Sequence, residues 1–306
     1  MEGLIEGEAF EASGGHSFGE AAAVPGKGEV LVSIITATYN AGAMLRHTIR
    51  SLREQVFRDF EWIVIDGGST DGTFQLLEGN KDLLSYWVSE PDSGIYDAWN
   101  KACAHIHGQW VLFLGAGDVL AAPDVLGRVA PYLDAADASQ SLVYGRMQYL
   151  SAGKRVVLEE VGQAWEEIAG RWEIGRWVLP PHGAIFHRVS LFSGSEPFDA
   201  RYRIAADAKL LLSVVREVSP LFVPVTISAA PIGGTSFRLD SARRMAVELS
   251  AINHELGLVV PLRHRLEEGL RLAIIDVLLC IPPALAHRVA DALRRVCGRP
   301  QRWSVE

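Results

Sequence analysis

The sequence predicts an α/β fold with a mixed, mainly parallel sheet flanked by helices. Short β-branched apolar runs alternate with stretches whose apolar residues recur at helical spacing. Polar or acidic residues follow each of the first four runs at once. The chain has 306 residues, 49% of them hydrophobic, enough to bury a large core.

Residues 30–36 form a nearly continuous apolar run, as expected for a strand buried on both faces. Asn40 can then cap a helix in which Leu45, Ile49, Leu52 and Val56 are the apolar stripe. A second strand is predicted over 62–66, and the Gly-rich stretch 67–73 turns into a second helix. Residues 84–89 read as a third strand, 95–106 as a helix and 110–114 as a fourth strand. Right-handed crossovers between these elements make their strands parallel. Strands over 142–150 and 155–159 are predicted to form a hairpin, and 233–236 is either a lid or a plain connection. From residue 241 the chain reads as helices.

Thr36, Thr38 and Asn40 follow the first strand, Asp66 and Asp71 the second, Glu90 and Asp92 the third, and Asp118 the fourth. Parallel strands bring all these positions to one sheet edge, where open α/β sheets bind ligands. Carboxylates gathered there repel one another unless a cation or donor groups are present. The pattern therefore predicts a metal-assisted site for a polar, phosphorylated ligand.

Other classes lose support. A net charge of -8 argues against a nucleic-acid partner. No dinucleotide fingerprint or P-loop occurs. Cys103, Cys280 and Cys297 are scattered, which fits free thiols in a reducing cytoplasm. Residues 1–28 read as a loose leader without a signal-peptide pattern. The catalytic domain is expected over 29–240, with a nucleotide-binding half at 29–120 and an acceptor half at 121–240. A helical extension is expected over 241–306. No apolar run reaches the roughly 20 residues of a spanning helix. From residue 262 eight Arg face five acids, so the apolar C-terminal helices either lie on the inner face of an anionic membrane or pack as a flap on the catalytic domain.

The runs 32–40, 63–73, 89–101, 113–118, 182–186 and 205–207, in this order, resemble the family 2 glycosyltransferases of the GT-A fold, especially bacterial polysaccharide-assembly members. That resemblance implies transfer of a sugar from a nucleotide-sugar donor to a saccharide or lipid-linked acceptor, with Mg²⁺ or Mn²⁺ as cofactor. It implies that Thr36, Ala37, Tyr39, Asn40, Asp66, Gly68, Asp92 and Tyr96 line the donor nucleotide. Asp118 would hold the metal and Asp207 would be the catalytic base of an inverting reaction. His182 and Trp177 would face the acceptor, with buried anchoring as their plainer role. Ala37, Gly67 and Gly117 depart from the family's usual residues, and Gly117 leaves one obvious metal carboxylate. A nucleotidyltransferase making nucleotide sugars and a non-catalytic donor-binding subunit are the alternatives.

Overall fold

The computed structural model describes residues 30–151, 153, 155–194, 196–233, 239–296, 298 and 301. The expected leader, Cys297 and residues 234–236 of the expected loop lie outside them. The first half alternates β1 (Val30–Thr38), α1 (Gly42–Arg53), β2 (Phe60–Asp66), α2 (Thr73–Glu78), β3 (Tyr86–Ser89), α3 (Ile95–Cys103) and β4 (Gly108–Phe113). Next come β5 (Val119–Leu120), α4 (Val125–Ala135), β6 (Leu142–Leu150), β7 (Val157–Val161), α5 (Trp165–Ile168), β8 (Trp172–Glu173) and β9 (Arg176–Trp177). The chain continues through β10 (Ile185–Arg188), α6 (Ala206–Val215) and β11 (Leu221–Pro231) to α7 (Leu239–Glu255), α8 (Leu262–Leu279) and α9 (Pro283–Val296).

The described residues form a nine-stranded sheet in the order β3-β2-β1-β4-β10-β6-β11-β5, with β7 paired to β6. Strands β3, β2, β1 and β4 run parallel, and β10 is antiparallel to both its neighbours. The mixed, mainly parallel sheet is thus observed. Alternate strand residues feed two cores. Val32, Ile34, Val64 and Leu112 pack with Leu45 and Leu52 of α1 and Leu126 and Val129 of α4. Ile35, Ile63, Ile65 and Phe113 pack with Tyr96, Ala98 and Trp99 of α3 and Leu212 of α6. Covering both faces explains why these strands are continuous apolar runs rather than alternating ones.

Two local expectations are corrected. Helix α1 ends at Arg53, so Val56 lies beyond it, 75% exposed. Asn40 does not cap α1: the N-cap position is Ala41, and the Gly42 N–H donates instead to Asp71 Oδ2 at 3.0 Å.

The sheet edge opposite the acids is fastened by Glu61, a buried carboxylate at the start of β2. It accepts the Ser33 hydroxyl, the His107 N–H at 2.7 Å and the Gly108 N–H at 3.3 Å, and its second oxygen lies 2.9 Å from His107 Nδ1. Glu61→Ala strips several enclosed groups of their partner. It is expected to lower stability by about 2–3 kcal/mol in urea denaturation.

Candidate functional site

The C-terminal ends of the parallel strands lie in register, with Thr38 opposite Asp66 and Asp66 opposite Ser89. Asp66 is fully buried, and its carboxylate accepts the Ser69 N–H at 2.9 Å and the hydroxyls of Ser69 and Ser89. Asn40, at φ 47°, accepts the Thr70 N–H at 2.8 Å and donates its own N–H to Ser69 Oγ. Together they knit the loops after β1 and β2. Thr36 is buried; its hydroxyl accepts the Trp62 indole N–H and donates to the Leu114 carbonyl. Ala37 is half-buried, whereas Tyr39 is 65% exposed at the strand end. The Thr38 hydroxyl is enclosed without a partner among the described residues.

The loop after β3 lies against this turn. Gly68 has φ +79°, and a Cβ there would lie 3.5 Å from Pro91 N. A Cβ on Gly67 would sit 2.7 Å from Asp92 Oδ2, so the missing side chain leaves room for that carboxylate. Asp92 accepts the Gly94 N–H at 2.9 Å. Desolvation raises its pKa, with Asp97 and Asp66 adding repulsion.

Asp118 follows β4 at the same edge. Strand β1 lies between β2 and β4, which separates their ends by two strand spacings, about 10 Å. Asp118 Oδ2 accepts the Gly115 N–H at 3.1 Å, and Thr48 of α1 ties down the loop by donating to the Asp118 carbonyl and accepting the Gly117 N–H. Burial of the carboxyl pushes its pKa up to about 6. Gly117 has φ +101°, and a Cβ there would lie 2.8 Å from Met44 Cε. An acid at that position is therefore strained as well as crowded. Arg155, on the turn between β6 and β7, donates through Nη2 to the Gly117 carbonyl at 3.3 Å.

Asp207 sits in the first turn of α6 without serving as its N-cap, which is Ala205. Its Oδ1 accepts the Tyr96 hydroxyl at 2.8 Å. Desolvation raises the pKa of Asp207, and burial beside that carboxylate raises that of Tyr96. Tyr96, expected on the nucleotide side, thus joins α3 to the acid of α6. Arg203 reinforces the link by donating to the Ser93 carbonyl at 2.8 Å. Glu248 of α7 accepts the N–H groups of Arg203, Ile204 and Ala205 at 2.9–3.0 Å and so fixes the entry to α6.

His182 stacks on Trp99 with ring centroids 5.1 Å apart, and burial pushes its pKa down to about 4. It is a neutral aromatic neighbour at neutral pH. Trp177 stacks on Trp172 at 6.1 Å and packs against the core beneath α3. Arg155 and Glu248 carry no motif; the sequence places Arg155 in a strand over 155–159, whereas β7 begins at Val157 and leaves Arg155 on the turn, and Glu248 is read only as part of the C-terminal helices.

The model of glycosyl transferase family 2 matches residues 33–191, about half of the chain. The chain belongs to this family. A PGL/p-HBAD biosynthesis glycosyltransferase of Mycobacterium bovis is 33% identical over 186 residues, 58% of this chain and 66% of that protein. Staphylococcus aureus TarS 1-349 in complex with UDP superposes with a TM-score of 0.54 at 22% identity, over 72% of this chain and 65% of that one. Mannosyltransferase PcManGT from Pyrobaculum calidifontis, in complex with GDP-Man and Mn²⁺, gives 0.54 at 18% identity, over 85% and 75%. This chain therefore spans slightly less than two thirds of the mycobacterial relative and of the TarS chain. The fold is the GT-A-like α/β arrangement of these structures.

Within this family 2 site, no three His, Cys, Asp or Glu side chains converge among the described residues. Asp66 accepts three local donors, whereas Asp92 and Asp118 each accept one N–H through a single oxygen, and Asp118 is the carboxylate that the resemblance assigns to a divalent cation. Its Oδ1 accepts no hydrogen bond among the described residues. Mg²⁺ is commonly held by one or two carboxylates plus substrate phosphates, so one acid is compatible with the ion.

The raised pKa of Asp118 makes its charge a stability cost in the unliganded protein above about pH 6, a cost that disappears below about pH 4, where folded and unfolded states are both protonated. Asp118→Asn is therefore expected to melt higher than the unsubstituted protein at pH 7.5, with the difference vanishing as pH falls to 4. Calorimetry across that range checks it.

Proposed function

We propose that this family 2 protein transfers a sugar from a nucleoside-diphosphate sugar to a hydroxyl of a saccharide or lipid-linked acceptor, with inversion. The carrying observation is the contact between Asp207 and Tyr96, which sets a carboxylate of raised basicity beside the loop that holds Asp92. Asp207 takes the proton of the acceptor hydroxyl; its oxygen bonds to the anomeric carbon as the bond to the diphosphate breaks. A general base works best when its pKa approaches the working pH, and desolvation moves Asp207 in that direction. Tyr96 steadies the carboxylate through its hydroxyl. On the donor side Tyr39 offers an exposed ring for stacking on the base, and the loops of Asp66 and Asp92 border the nucleotide.

Asp118 is the residue to hold Mg²⁺ or Mn²⁺, which when bound neutralises charge on the departing diphosphate. The UDP and GDP-Man complexes of the two structural neighbours support this donor class, and the Mn²⁺ in one of them supports the metal.

The C-terminal helices add a membrane-facing element to this reading. Among the described residues no helix is long and apolar enough to cross a membrane. Helix α8 packs one side on α7 and α9, with Ile275 and Leu278 buried and Asp276 paired to Arg243. Its other side exposes Leu262, Leu266, Leu270 and Val277, each at 66–68%. Helix α9 likewise exposes Leu285, Val289, Leu293 and Val296, beside exposed Arg288 and Arg295. Apolar stripes flanked by arginines suit the surface of an anionic bilayer, where a lipid-linked acceptor resides.

Asp207→Asn is expected to lower transfer about 10²–10⁴-fold while nucleoside-diphosphate binding persists. Assays follow release of nucleoside diphosphate from UDP-, GDP- and dTDP-sugars; near-normal turnover in the variant removes the base assignment, and pyrophosphate as product identifies a nucleotidyltransferase instead. For the membrane element, Leu266→Glu with Leu270→Glu and Leu293→Glu is expected to reduce flotation with phosphatidylglycerol vesicles at least about 10-fold, since each change removes a leucine's burial. Equal flotation of the two proteins rejects the surface.

A further inference from the structure

The turn between β6 and β7 is closed around Ser151. The Ser151 N–H donates to the Val156 carbonyl at 2.8 Å, the Arg155 N–H donates to the Ser151 carbonyl at 3.1 Å, and the Val156 N–H donates to Ser151 Oγ. Arg155 stands in this turn at φ 53°, a left-handed conformation that few residues other than glycine adopt. The turn aims its guanidinium at the loop after β4. There Nη2 meets the Gly117 carbonyl at 3.3 Å, while Nη1 is enclosed with no partner among the described residues. Asp118 is near enough for the two charges to be felt, yet no ion pair joins them. Enclosing a guanidinium N–H without an acceptor is unfavourable, and planar N–H forks match phosphate oxygens.

We propose that Arg155 and the Gly117–Asp118 loop form an anion site for the diphosphate of the donor, with Nη1 as the waiting hydrogen-bond donor. The inference rests on the nucleotide-sugar reading above and extends it to a residue outside every motif. The charges balance on this assignment. One carboxylate, one divalent cation and a doubly charged diphosphate leave a single negative charge, and the guanidinium cancels it. Where glycine at 115 and 117 leaves a single acid, a fixed cation on the neighbouring hairpin takes a share of the phosphate contacts. Part of the donor's affinity is then independent of the metal.

Calorimetric titration with UDP, GDP and dTDP, each in Mg²⁺ and in EDTA, tests this on the full chain and on Arg155→Met and Arg155→Lys. The unsubstituted protein is expected to bind one nucleoside diphosphate in EDTA within about 10-fold of its affinity in Mg²⁺. Arg155→Met is expected to lose at least about 10-fold in EDTA, the loss expected for one charge-assisted contact. Arg155→Lys keeps the charge without the fork and falls between. Affinity for the matching nucleoside, and the unliganded melting temperature, stay unchanged in both variants. Unaltered diphosphate affinity in Arg155→Met, or an equal loss for nucleoside and nucleoside diphosphate, overturns the anion site while leaving the donor reading in place. If the unsubstituted protein binds none of the three diphosphates in either medium, the donor reading falls and the anion site with it.

Discussion

Parallel pairing of β3, β2, β1 and β4 is the constraint on which the rest depends. It puts Thr38, Asp66 and Ser89 side by side although they are spread over half a hundred positions, and it sends every following loop to one edge. Because each strand is covered on both faces, a one-residue slip would exchange the residues of the two cores, so the register is strongly fixed. Hydrogen bonds then carry that order outward. Asp66 gathers Ser69 and Ser89, Asn40 reaches Thr70, and Asp71 closes the start of α1.

The acids at this edge meet their electrostatic problem one at a time. Asp66 is surrounded by donors, Asp92 occupies space left by Gly67, and Asp118 turns back on the amide of Gly115. Backbone and hydroxyl donors, one of the two solutions the pattern allowed, offset part of the repulsion among them. Desolvation pushes Asp92, Asp118 and Asp207 upward in pKa, and the last two stand on separate elements, a strand-end loop and a helix start. Two carboxylates in distinct surroundings can take distinct tasks.

The sheet was legible because its buried strands are unusual as sequence: the run after Val30 reads as a strand from apolar content alone, and residues 142–150 from the turn residues that follow them. Edges of elements were less legible. Val56 fits the helical period of α1 but falls beyond its end, and the cap of that helix comes from Asp71, twenty-nine residues away from Gly42. Periodicity reports neighbours along a chain, whereas such bonds are made between loops. The same reason hid Arg155 and Glu248, whose partners lie 38 and 43–45 residues distant. His182 stands in a recognisable run, yet its stacking on Trp99 depends on packing that no spacing rule conveys.

The clasp of Glu248 bears on where this molecule can be cut. Helix α7 begins at the seam at which the sequence suggests a boundary, near residue 240, but its carboxylate closes three amides at the threshold of α6. Lys209 of α6 also bridges Asp199 and Glu255 at the far end of α7. A fragment stopping at the seam would present those amides bare and leave α6 loosely moored. Glu248 and Glu255 thus tie α7 to the start and the body of α6 across that seam.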